Sequence, residues 1–173
     1  MKNKIIFPVS LNPKEEILFL SGKSVDVPKA IMKFDIWKGN PIKDTYGGKT
    51  VIDYDREPLF AELAVLKILQ KAGWDGVWVD NYRKAFRQGL PEKMDPVELP
   101  DKYKEILDSI KVKNGTLSGC WDVFAWNGDN ILFAELKRIG KDMIRDTQKK
   151  WLETSVSMGY TDRFLLVDWD IIH

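Results

Sequence analysis

The stretch WDVFAWNGDNILFAELKR, residues 121–138, sets two apolar runs on either side of a turn. Asn127, Gly128, Asp129 and Asn130 tolerate positive φ, so NGDN predicts a hairpin. Alternation along the two arms sends Val123, Ala125, Leu132, Ala134 and Leu136 to one face. Closing the loop around Gly128–Asp129 sets Asp122 directly opposite Glu135, with Lys137 one pleat further along the same face. Closing it around Asn127–Gly128 shifts the pairing by two and still leaves the three together. Only a loop with an odd number of residues separates them.

Both faces of this hairpin read as buried, yet one carries two acids and a lysine. Carboxylates facing each other across a strand pair repel. Burying such charges uncompensated costs several kcal/mol each, so something cationic belongs between them. Lys137 is one candidate and a divalent cation is the other. With oxygen ligands and few nitrogen or sulfur ones, that ion would be Mg²⁺ or Mn²⁺. An internal Asp/Glu/Lys network without chemistry is the alternative.

Two helices bear on the choice. PLFAELAVLKILQKAG, from Pro58 to Gly73, predicts a helix with Leu59, Leu63, Leu66 and Leu69 on one arc. Glu62 falls inside that arc, where a glutamate is costly unless it points at a cation. It is a candidate third metal ligand. A second, long helix is expected near 141–158, with Ile144, Trp151, Leu152, Ser155 and Met158 inward and Gln148 among them. Lys141, Arg145 and Lys149 follow at intervals of four on its flank, a basic strip starting beside the acids. Acidic pocket and basic strip together suit a phosphodiester.

Around these elements the order from residue 58 reads α, β, inserted α, β, β, α, β. GVWVD (76–80) is a strand, DKYKEILDSIK a helix entered at Asp101, and RFLLVDW the last strand. That mix predicts an α/β fold, a mixed sheet flanked by helices. Residues 1–56 form an N-terminal extension whose apolar runs, Ile5–Val9, Ile17–Leu20 and Ile31–Trp37, are candidate strands. SGKS (21–24) lacks the first glycine of a phosphate loop, because Ile17 stands at its position, and reads as a turn. NYRKAFRQ (81–88) interleaves Arg83, Lys84 and Arg87 with Tyr82 and Phe86, a composition for backbone contact and base stacking or for a plain surface loop.

Composition narrows the chemistry. The 173 residues carry net charge +1, so a polyanion must be held by a local patch. One cysteine, Cys120, excludes an internal disulfide. With His173 the single histidine, a Cys/His zinc site and His-based nucleophilic or HNH-type chemistry are excluded too. No convincing signal peptide and no run of ~20 apolar residues appears, so the expectation is a soluble, cytoplasmic protein without a membrane span.

Asp122 followed after a turn by ELK (135–137) resembles the D…(D/E)xK signature of the PD-(D/E)xK nuclease superfamily. GCWD and then LFAELKRIGKDMIRDTQKKWLETSVSMGY are similar to its VRR-NUC group, with a Gly two residues ahead of the Pro-Asp pair (Trp121-Asp122 in this chain), ExK, and Q-x-x-W on the following helix. The likeness covers about residues 58–168. It implies a restriction-endonuclease-like αβββαβ core, with residues 57–173 as the nuclease domain. It implies metal coordination by Asp122, Glu135 and the Leu136 backbone carbonyl, with Glu62 contributing from the first helix. Lys137 would orient the attacking water, Gln148 would stand at the site's edge and Trp151 would pack beneath it. Trp121 departs from the pattern, standing where the family has proline.

The expected function is a divalent-metal-dependent nuclease, a DNA endonuclease; the resemblance alone implies structure selectivity and a homodimer. The alternative is a catalytically silent nuclease-fold module that binds nucleic acid or regulates a partner.

Overall fold

A computed structural model describes residues 5–173. Among them are nine strands in one mixed sheet and three α-helices. The strands are β1 (Lys14–Phe19), β2 (Ser24–Ile36), β3 (Ile52–Tyr54), β4 (Glu57–Leu59), β5 (Asp75–Asp80), β6 (Ala85–Arg87), β7 (Val123–Asn127), β8 (Asn130–Arg138) and β9 (Phe164–Ile171). The helices are α1 (Ala61–Lys71), α2 (Asp101–Asn114) and α3 (Asp146–Ser157). Strand order is β4-β3-β2-β9-β8-β7-β5-β6, with β1 paired to the first part of β2. The β2–β9 and β8–β9 pairs are parallel and the others antiparallel.

Period-two alternation divides the core between the two faces of the sheet. Val123, Ala125, Leu132, Ala134, Leu165 and Val167 pack with the apolar stripe of α1. Phe124, Phe133, Phe164 and Leu166 pack with Leu107 and Ile110 of α2 and Trp151 and Leu152 of α3. Phe133 stacks on Phe124 at 4.8 Å and on Phe164 at 5.3 Å, with Trp151 edge-on at 5.9 Å. This aromatic layer is buried and fixes α3 over the centre of the sheet.

The α/β class and the strand at 76–80 agree with the sequence, and so does the helix at Asp101, closed by Gly115 in the left-handed region at φ 86°. Two boundaries differ. The first helix starts at Ala61, because Pro58 and Leu59 belong to β4. β4 turns back on β3 through Asp55 and Arg56, both at positive φ (52° and 65°), and the Asp53 side chain accepts the Arg56 N–H at 2.9 Å. The long helix starts at Asp146, because Arg145 is extended and the Gln148 side chain accepts its N–H at 2.8 Å, capping the helix there. Residues 139–145 form a loop instead.

The N-terminal runs at Ile17 and Ile31 lie in β1 and β2, whereas the run from Ile5 to Val9 is not a strand. SGKS is the β1–β2 turn, closed by Leu20 N–H on the Lys23 carbonyl at 2.8 Å. Among the described residues no helix is long and apolar enough to cross a membrane.

Candidate active site

β7 and β8 pair with Val123 opposite Ala134 and Asn127 opposite Asn130, so the hairpin closes around Gly128–Asp129. Gly128 supplies the positive φ, 60°, at the first loop position. The regular ladder ends at Val123, one residue before Asp122 faces Glu135. There the freed backbone donors turn to the acids. Asp122 N–H donates to Glu135 Oε2 at 3.2 Å, and Leu136 N–H donates to Asp122 Oδ2 at 2.9 Å. The Asp122 carbonyl in turn accepts the Val79 N–H at 2.7 Å, locking this corner to β5.

Lys137 reaches back along β8 and donates to Glu135 Oε1 at 2.7 Å. Gln148, buried in the first turn of α3, completes a triangle. Its Oε1 accepts from Lys137 at 3.0 Å and its Nε2 donates to Glu135 Oε1 at 2.5 Å. The Gln148 carbonyl accepts Trp121 Nε1–H at 3.0 Å, and Trp121 is fully buried edge-on to Phe164. Trp121 is therefore a strut between the segment entering β7 and α3. Gly119 (φ 87°) sits against the Thr147 carbonyl, where any Cβ would collide, so glycine allows this close approach.

Glu62, in the first turn of α1, is buried and meets Lys49 at 2.5 Å. The cavity between these groups measures ≈ 570 Å³ and is lined by Glu62, Asp122, Glu135, Lys137, Lys141 and Arg145, among others. A neighbouring cavity of ≈ 370 Å³ shares Lys49, Glu62, Asp122 and Arg145 and continues past Tyr46 and Tyr82. Burial pushes the Asp122 carboxyl well above the usual range, and the charges of Glu135 and Glu62 push it further. Burial raises Glu135 as well, against the pull of Lys137.

Among the described residues, no three acidic, histidine or cysteine side chains converge as a ready metal cage. Glu62 is turned to Lys49, and Glu135 to Lys137 and Gln148. The donor set nonetheless suits a hard divalent ion: carboxylate oxygens around one cavity, with mutual repulsion that a cation would relieve.

The expected basic residues separate into distinct places. Lys141 and Arg145 line the acidic cavity from the loop before α3, not from a helical strip. Lys149 is half-buried on α3. Arg83 donates to both oxygens of Asp44 at 2.6 and 2.9 Å and lies 3.6 Å from the Tyr46 ring centre. Lys84 lines a third cavity of ≈ 560 Å³ beside Lys111 of α2. Arg87 is buried and pairs with Asp80 at 2.9 Å, so it presents no charge to a surface ligand. Lys49 had no signal in its own sequence neighbourhood: it enters the site only through the tertiary fold.

No family model, curated protein or solved structure matches the chain.

Proposed function

We propose that this chain is a divalent-metal-dependent nuclease that hydrolyses phosphodiester bonds, acting as an endonuclease on DNA. One observation carries the reading: half-buried Asp122 and buried Glu135 stand face to face, with Lys137 two residues on and fixed by Gln148. Asp122, Glu135 and the Leu136 carbonyl would hold Mg²⁺ or Mn²⁺, with Glu62 as a further ligand. When bound, that ion polarises the phosphoryl oxygens and makes water a better nucleophile. Lys137 keeps its ammonium at the carboxylate pair, where it orients the attacking water and neutralises charge growing on phosphate. Gln148 restricts the lysine to that geometry. Lys141, Arg145 and Lys149 supply positive charge for the flanking phosphates, and Arg83 and Lys84 extend it along the Tyr82 side. Restriction-endonuclease-like topology, homodimeric assembly and selectivity for branched DNA belong to the same proposal.

A second reading, a catalytically silent module, has its own support, because Lys49 and Lys137 already neutralise two of the acids. A panel of labelled single strand, duplex, flap and four-way junction with Mg²⁺ or Mn²⁺ separates the two. The nuclease cuts, EDTA stops it, and Lys137→Ala lowers the rate by about 10²–10⁴-fold with binding retained. Uncut substrate, bound equally by wild type and Lys137→Ala, sinks the enzyme and leaves the silent module.

A further inference from the structure

Lys49 is a lysine held inside an acidic pocket by a segment built to place it. The segment 44–50 runs through three consecutive left-handed residues, Tyr46, Gly47 and Gly48, at φ 55°, 76° and 119°. It is pinned at one end by Tyr46 O–H on Asp80 at 2.5 Å and by Asp44 on Arg83. Lys49 then turns inward, meets Glu62 at 2.5 Å and runs past the rings of Phe60 and Trp78, 5.5 and 5.7 Å from their centres. Burial opposes its charge, while Glu62, Asp122 and Asp142 support it and leave the ammonium more firmly protonated than usual.

Resting on the metal-site reading above, we propose that Lys49 is a resident competitor for the divalent cation. Its ammonium fills the outer cation position of the Glu62–Asp122 pocket, and an incoming ion must displace it from Glu62. The ring faces of Phe60 and Trp78 flank the ammonium in its paired position and add to its hold there. Metal affinity is thereby reduced in proportion to the fraction of molecules in which the pair is open. The same contact explains why Glu62 is not already aimed at the other two carboxylates.

The test is calorimetric titration with Mn²⁺ alone, without nucleic acid, on wild type, Lys49→Met, Lys49→Gln, Lys49→Arg and Asp122→Asn. Both neutral variants keep much of the aliphatic stem. They bind Mn²⁺ about tenfold more tightly than wild type, as expected when a pair closed in about nine-tenths of molecules is removed. Lys49→Arg retains wild-type affinity, and Asp122→Asn loses most binding. If the neutral variants melt lower but bind Mn²⁺ no better than a wild type that does bind, Lys49 is only a structural ion pair and the competition is wrong. If no variant nor the wild type binds, the metal-site reading falls with it. Two neutral substitutions of different shape guard against one that does not fold.

Discussion

Gln148 and Glu135 are joined by a 2.5 Å hydrogen bond that ties the start of α3 to the edge of the acidic cavity. The same side chain accepts from Lys137 and from the Arg145 backbone. One amide therefore caps a helix, satisfies a buried carboxylate and orients a lysine.

Replacing Gln148 by alanine breaks all three connections. Loss of the cap and of buried partners predicts a destabilisation of about 2–3 kcal/mol. Urea titration measures it. On the proposed nuclease reading, turnover on DNA falls further than stability accounts for, and Gln148→Glu does not restore it, because a carboxylate cannot donate to Glu135.

Asp122 has the opposite sign. Its carboxyl is raised by burial and by Glu135 and Glu62. A raised acid opposes folding once pH exceeds its unfolded value of about 3.9, and the penalty disappears as pH falls through the folded value towards it. Asp122→Asn keeps an acceptor for Leu136 N–H and removes the repulsion. In EDTA at neutral pH it should therefore be more stable than wild type by roughly 1 kcal/mol or more. The difference shrinks as pH is lowered. On the proposed metal-site reading, Mn²⁺ raises the melting temperature of wild type alone. An Asp122→Asn variant less stable than wild type under these conditions would refute the charge-repulsion account.

Asp80 and Arg87 are a buried pair without a place in the chemistry. Burial favours the neutral acid, but hydrogen bonds from Tyr46, the Arg83 amide and Arg87 outweigh it and hold Asp80 below the usual range. Burial and Asp80 also push the Tyr46 phenol up to about 12. A lowered carboxyl stabilises the fold above its unfolded value of about 3.9, and that contribution is lost as pH falls through the folded value. Arg87→Ala strands the carboxylate and costs about 3–5 kcal/mol at neutral pH. Equilibrium unfolding at pH 7 and below pH 4 checks both, since the gap between variant and wild type narrows in acid.

What could be read from sequence was local and periodic. NGDN announced its hairpin, and the alternation around it put Asp122, Glu135 and Lys137 together. The start of α3 was misplaced because Lys141, Arg145 and Lys149 imitate a helical spacing across a loop. What fixes the true start is one side-chain bond from Gln148. The β3–β4 hairpin was hidden because Asp55–Arg56 adopts positive φ without glycine or asparagine. Arg87 looked like a nucleic-acid contact because the burial that pairs it with Asp80 cannot be seen in NYRKAFRQ. Lys49 is a contact across the fold, and no pattern in residues 43–51 points to it.

The parallel pairing of β2 with β9 joins Lys29 to Leu166, partners well over a hundred positions apart in the chain. β9 also lies between β2 and β8, so β2 cannot be seated on the sheet until β9 has left the ribosome. During synthesis β2 has only its local partners, β1 and β3. Loop closure over such a span makes this late step slow. The strand framework is therefore complete only once β9 has joined it, although the hairpin that carries Asp122 and Glu135 pairs with β5 earlier in the chain.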